Sequence, residues 1–446
     1  MAGDDGSGSI DSDRIIEVYR RYAGKIEVMP KVPVSSVGDF AIWYTPGVAE
    51  ASIRINKDPD ESFELTSRWN MVAIVTDATR VLGLGSLKPE AAYPVMEGKA
   101  LIFKLFGGVD AVPIVHRRRE PGAFASLVKD LEPSFGGVNL EDIESPKCFY
   151  LLDFLRMELE IPVWHDDQQG TAAASLAGLI NAFKIVGKNL RESRIVLLGA
   201  GAANIALYRF LKAYGVNPRN IVVVDSRGVL HPEREDMDRL LFSNRYKYEI
   251  ALETEGGGLR PGSGVEEALK GADALVAASR PGPGVVKKEW IRGMSRDPIV
   301  FALANPTPEI WPWEAREAGA RVVATGRSDL PNQVNNALVF PGVFRGALDA
   351  RSRAITDGMA IAAAEEIARY TEEELGLDEE RILPPITDWQ VHYRVAAAVA
   401  WAASREKVAR KPRTYRQELE NARAIVESSR RKYEALLSAG LIERLV

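Results

Sequence analysis

The 446-residue chain is 46% hydrophobic and 27% charged, ordinary values for a globular protein and enough length for two domains. A formal net charge of −5 speaks against a general nucleic-acid or anionic-membrane binder, which carries a basic excess. No apolar run reaches the length of a membrane span, and the single cysteine, Cys148, excludes an intramolecular disulfide.

The N-terminal stretch MAGDDGSGSIDSD is acidic, rich in Gly and Ser, and lacks the basic and apolar regions of a signal peptide. It reads as a loose tail, and the expected setting is the cytoplasm. WNMVAIVTD (69–77) and AVPIV (111–115) read as buried strands. FYLLDFLRMELEIPVW (149–164) reads as an amphipathic helix, then a strand beginning near Ile161. TAAASLAGLINAFKIVG (171–187) is a long small-residue helix with Gly187 as its stop. The middle third alternates. Strands RIVLLG (194–199), NIVVVD (220–225), ALVAAS (274–279), PIVFALA (298–304) and RVVATG (321–326) are separated by helical segments such as 202–214, with a loop at 255–264. This alternation specifies an α/β fold with a parallel sheet covered on both faces. The last hundred residues are helical over 355–376, 387–410 and 414–440. The third of these is highly charged and suits either a surface helix or a partner-binding one.

Residues 199–204, GAGAAN, lie between a strand and a helix. Gly199 permits a tight turn. Gly201 lets the backbone approach a pyrophosphate, which then sits on the N-terminus of the helix opened by Ala202 and Ala203. Asn204 replaces the third glycine of the usual fingerprint. Asp225 ends the next strand, where an acid suits a ribose 2′-hydroxyl. The pattern predicts dinucleotide binding. Asp225 favours NAD, whereas Ser226 and Arg227 directly after it suit the 2′-phosphate of NADP.

Two adjacent acid pairs stand out, Glu141–Asp142 in GGVNLEDIESPKCF and Asp166–Asp167 in HDDQQG. Three carboxylates from two segments suit a hard divalent cation, Mg²⁺ or Mn²⁺. Capping of the following helix is the competing use of Asp166 or Asp167. The four histidines are scattered, so nothing resembles a zinc site.

The motifs YTPGVA (44–49), LGLGS (82–86), VMEGKALIFK (95–104), NLEDIESPKCF (139–149), IPVWHDDQQGTA (161–172), ALANPTPE (302–309) and PNQVNNALVFPGVFRGAL (331–348) occur in one order. In that order, from about residue 28 to about 365, the chain resembles the malic enzymes, in particular the short prokaryotic kind. The resemblance implies oxidative decarboxylation of L-malate to pyruvate and CO₂ with reduction of NAD(P)⁺, in a homodimer. It implies a tail and first helix over 1–27 and an α/β metal and substrate domain over 28–165. A Rossmann-like doubly wound domain would follow over 166–345, and C-terminal helices over 346–446 would pack back on the first domain. By position, Tyr44 resembles the family's general acid and Lys99 its general base. Glu141, Asp142 and Asp167 resemble its metal ligands, with Asp166 as a support beside them. Arg80 resembles the residue that grips a malate carboxylate. Asn305 and Asn336 resemble substrate-contacting asparagines, and Ser279 and Asn305 fall at the cofactor. His165 reads as structural.

The chemistry asks for these types. Hydride transfer from an alcohol needs a base for its proton, decarboxylation needs a Lewis acid to absorb charge, and the enolate needs an acid at carbon. Departures from the family's usual residues are Trp43, Ser86, Lys88, Gln169 and Asn204. Three other readings fit parts of the pattern. A metal-dependent oxaloacetate decarboxylase or malolactic-type enzyme would keep the acid cluster. An amino-acid dehydrogenase would not need it. A nucleotide-sensing regulator would need neither Tyr44 nor Lys99.

Overall fold

A computed structural model of the chain describes residues 12–445, so most of the expected N-terminal tail lies outside the described residues. Two separate sheets organise the chain. The first holds β1 (Met71–Thr76), β2 (Asp110–Val115), β3 (Gly137–Leu140) and β4 (Val163–His165), all parallel, in the order β2-β1-β3-β4. Val72–Val75 are fully buried, as a strand with helices on both faces must be. The crossovers are helices Pro89–Gly107, Pro121–Leu131 and Lys147–Glu158.

The second sheet holds β5 (Ile195–Leu198), β6 (Ile221–Asp225), β7 (Gly228–Val229), β8 (Ala274–Ala277), β9 (Ile299–Ala302) and β10 (Val322–Thr325), in the order β10-β9-β8-β5-β6-β7. All pair in parallel except the two-residue β7, which folds back on β6. The chain leaves β5 on one side towards β6 and returns on the other side at β8. A topological switch point therefore opens between the carboxyl ends of β5 and β8, where an open α/β sheet binds its ligand.

Helix Thr171–Ile185 is buried on nearly every face, because its Ala and Gly residues let neighbouring elements approach. A Cβ on Gly178 would lie 3.1 Å from the Phe301 ring. Helix Phe340–Asp349 packs between Pro89–Gly107 and Gln390–Arg405, and there Gly346 meets the Ala396 carbonyl with no room for a side chain. The charged helix Tyr415–Ser438 buries Glu418, Ala422 and Val426 and lies along Gln390–Arg405 and Pro89–Gly107. It thus covers the body of the protein, as a surface helix does. The N-terminal helices Ser12–Tyr22, Val37–Trp43 and Val48–Lys57 bury no residue at all.

Candidate active site

The carboxyl ends of β3 and β4 are neighbours, with Leu140 opposite His165. The acid pairs that follow these strands therefore emerge side by side. One oxygen from each of Glu141, Asp142 and Asp167 lies within 4.8 Å of the others. Asp142 adopts a left-handed φ of 54°, and its N–H donates to Asp167 Oδ2 at 2.9 Å. Asn139 Nδ2 donates to Glu141 Oε2 at 2.9 Å, while Asp142 Oδ2 is buried with no partner. Burial pushes all three carboxyls above the ordinary range, Asp142 to about 7, and repulsion from neighbouring acids adds to this at Glu141 and Asp142. An all-oxygen set with an orphaned buried oxygen fits a hard divalent cation, whose charge would relieve the crowding. The competing use as a cap is not observed. Asp166 and Asp167 open a π-helical turn, Asp166–Gly170, and neither that turn nor the following helix has a side-chain cap.

Lys99, on helix Pro89–Gly107, is largely buried beside this cluster. Its Nζ hydrogen-bonds to Asp166, lies 3.3 Å from Glu141 Oε1 and sits 4.6 Å from the centre of the Phe340 ring. Burial works against its charge, but Asp166, Glu141 and Asp167 together hold the ammonium above the ordinary lysine range. Asp166 also accepts from Trp164 Nε1 at 3.0 Å. Gly170 makes this possible, since a Cβ there would fall 2.0 Å from Asp166 Oδ1 and 2.9 Å from Asn336 Cβ. Asn336 is thereby packed against the acidic turn. Gln169 Oε1 accepts from the His165 N–H at 3.0 Å, and burial lowers the His165 ring to about 3, so it stays neutral.

Arg80 follows β1. Its N–H donates to the Asp142 carbonyl at 2.9 Å, and its exposed guanidinium draws the Asp167 carboxyl downward. Three residues on, a Cβ at Gly83 would lie 3.0 Å from the Asn305 carbonyl, so loops from the two sheets meet here. The fold thus gathers Arg80, Lys99, Glu141, Asp142, Asp166, Asp167 and Asn336, with Asn305 at the junction. Tyr44 does not join them. It closes helix Val37–Trp43, is 69% exposed, and its hydroxyl has no hydrogen-bond partner among the described residues.

Across the junction lies the switch point of the second sheet. Gly199 has φ +96°, and a Cβ there would sit 2.4 Å from the Ala278 carbonyl, whereas the Cβ position of Gly201 is open. Asn204 explains the missing third glycine. Its Nδ2 donates to the carbonyls of Leu198 (2.9 Å), Gly199 (2.9 Å) and Val276 (3.3 Å), tying the loop before Ala202 and Ala203 to β5 and β8. Ser279 N and Oγ donate to Glu309 Oε1 at 2.8 and 3.0 Å, and Ala304 N donates to Glu309 Oε2 at 3.0 Å. Glu309, to which sequence reasoning gave no role, pins the loops after β8 and β9 together. The acid closing ALANPTPE just beyond a buried strand was the available signal. Asp225 ends β6, and Ser226 and Arg227 follow it at the surface.

Comparison with known proteins agrees with this geometry. The family description "Malic enzyme, N-terminal domain" matches residues 23–156, and "Malic enzyme, NAD binding domain" matches residues 168–404. The chain is 46% identical over 399 residues to the bifunctional malic/malolactic enzyme of Bacillus subtilis, covering 89% of this chain and 94% of that one. It is 48% identical over 401 residues to the NAD-dependent malic enzyme of Geobacillus stearothermophilus, covering 90% and 80%. The NADP-dependent malic enzyme of Halomonas elongata is 42% identical over 403 residues, covering 87% and 92%. The crystal structure of the Entamoeba histolytica malic enzyme superposes with a TM-score of 0.93 at 42% identity, covering 97% of this chain and 90% of that one. With both halves matched in order, and Glu141, Asp142 and the dinucleotide loop inside the matched spans, the chain belongs to the malic enzyme family.

Proposed function

We propose that the chain oxidatively decarboxylates L-malate to pyruvate and CO₂ while reducing NAD⁺ or NADP⁺, with Mg²⁺ or Mn²⁺ held by Glu141, Asp142 and Asp167. One observation carries this reading. A buried lysine and three crowded carboxylates stand at the carboxyl ends of one sheet, joined through Gly83 and Asn305 to the dinucleotide end of another. When bound, the cation supplies Lewis acidity and the dinucleotide accepts hydride. Arg80 pairs with one malate carboxylate, and Asn305 and Asn336 orient the rest of the substrate. With the charge of Glu141 and Asp167 offset by a bound cation, Lys99 would give up its ammonium proton, and its neutral Nζ would then take up the proton of the C2 hydroxyl while Asp166, itself fixed by Trp164, holds that nitrogen in place.

Protonation of the enolate at C3 falls to Tyr44 Oη, and the Tyr44 that serves a given site comes from a second copy of the chain. The arm that carries it buries nothing in its own protomer and exposes Val28, Phe40, Ile42 and Trp43. A homodimer that covers these side chains supplies both the burial and the missing acid. Our division of the chain is a tail and first helix over 1–27, a substrate domain over 28–165, a dinucleotide domain over 166–345 and covering helices over 346–446. No helix among the described residues is long and apolar enough to cross a membrane. We place the reaction in the cytoplasm, where one lone buried thiol, Cys148, is in keeping with a reducing medium.

The test is absorbance at 340 nm with L-malate, Mn²⁺ and either dinucleotide, with and without EDTA. A rise that EDTA abolishes, with pyruvate as product, is expected. No rise with either dinucleotide would overturn the reading.

A further inference from the structure

The acid that ends β6 is already engaged by protein donors. Asp225 Oδ1 accepts from the Arg227 N–H at 2.9 Å and from Arg234 Nη1 at 3.0 Å, and Oδ2 accepts from Lys247 Nζ at 3.0 Å. A carboxylate offers about four lone-pair sites, and the three contacts here leave Oδ2 with one for the ribose hydroxyls of NAD. Here two cations neutralise it and three donors occupy it, and the same contacts hold its carboxyl below the ordinary range against the effect of burial.

The side chains in direct contact with Asp225 and Asp236 are basic. Arg234 is itself buried and bridges Asp225 to Asp236, with Nε donating to Asp236 Oδ1 at 2.9 Å. Arg239 Nη2 donates to Asp236 Oδ2 at 3.0 Å, and Arg227 Nη1 lies 3.6 Å from the same oxygen. Four basic side chains thus share two acids. Two of them, Arg227 and Arg239, have side chains 57% and 59% exposed. The other acids of this loop, Glu233, Glu235 and Asp238, are exposed and pair with none of these cations among the described residues.

We propose that this cluster is a 2′-phosphate site, so that the chain binds NADP⁺ in preference to NAD⁺, with Arg227 and Lys247 receiving the phosphate. This rests on the dinucleotide reading above and names its cofactor. A 2′-phosphate brings up to two negative charges and three acceptor oxygens to a place with surplus donors. The ribose diol of NAD⁺ brings donors to an acceptor already largely occupied.

Titration calorimetry on the full chain, without malate or metal, measures the dissociation constants of NADP⁺ and NAD⁺ directly. NADP⁺ is expected to bind about tenfold tighter or more at low ionic strength, with the advantage shrinking as salt rises. Arg227→Ala and Lys247→Met should each cut the NADP⁺ to NAD⁺ affinity ratio by about tenfold. A structural role alone would weaken both dinucleotides equally and leave the ratio fixed. Equal binding, tighter NAD⁺ binding, or an unmoved ratio in both variants overturns the proposal while leaving the dinucleotide reading intact. Binding of neither dinucleotide overturns both.

Discussion

If Tyr44 serves the site of a second copy, two inactive variants should repair one another. Tyr44→Phe keeps Lys99 but lacks the acid, and Lys99→Ala keeps the acid but lacks the base. Each alone should lose about 10²- to 10⁴-fold, the range of a positioned acid or base. The geometry sets the recovery. Random pairing at equal amounts makes half the dimers mixed, and in each mixed dimer one of two sites receives both Lys99 and Tyr44. Co-expression should therefore restore about one quarter of the wild-type rate, some 25-fold or more above either variant alone. The assay is absorbance at 340 nm on co-expressed, doubly tagged protein, with sedimentation to confirm the dimer. The largely buried position of Lys99 against the 69% exposed Tyr44 is the structural basis of the expectation. Activity equal to the sum of the two residual rates, in protein proven to contain mixed dimers, would refute it.

Other perturbations read other parts of the account. Gly170→Ala forces a methyl into Asp166 Oδ1, which it would meet at 2.0 Å; we expect about 1–3 kcal/mol of destabilisation in urea melts and loss of turnover as Lys99 is displaced. Asn204→Ala removes the donor to three carbonyls of the dinucleotide loop, so a stability loss of about 1–3 kcal/mol and weaker dinucleotide binding by calorimetry are expected. In cation-free protein, Asp142 has a folded value raised to about 7. The folded state then holds a proton that the unfolded state releases near pH 4 (about the free Asp value), so stability from this group is full below that pH and is lost as pH rises through about 7. Thermal melts should fall across that window, and either Asp142→Asn or saturating Mn²⁺ should flatten the fall.

Much of the site was legible because its residues follow strands. Glu141–Asp142 and Asp166–Asp167 are far apart in sequence, and only the pairing of β3 with β4 sets them side by side. Yet β3 itself was not read as a strand. It has four residues, one of them Asn139, and carries no long apolar run, so periodicity had nothing to detect. The two-residue β7 escaped for the same reason. The parallel strands of the second sheet, built mainly of buried Val, Ile, Leu and Ala, were read within a few residues of their bounds. Where tertiary contacts decide, the sequence was silent. It showed that Asn204 replaced a glycine but not that its amide binds three carbonyls. It suggested that Asp225 was a ribose acceptor but not that Arg234 and Lys247 already occupy it. Periodicity also reports only that a helix is amphipathic. What covers its apolar face, for the arm around Tyr44 as for helix Tyr415–Ser438, is set by neighbours distant in sequence.

The most direct test of the central claim is a product balance: malate consumed, pyruvate, lactate and reduced dinucleotide formed, all measured in one reaction with Mn²⁺. In the proposed reaction C2 is oxidised before the carboxylate leaves, so one pyruvate and one reduced dinucleotide per malate are predicted. Lactate formed with no net reduced dinucleotide would contradict that account and favour a malolactic reaction at the same carboxylates.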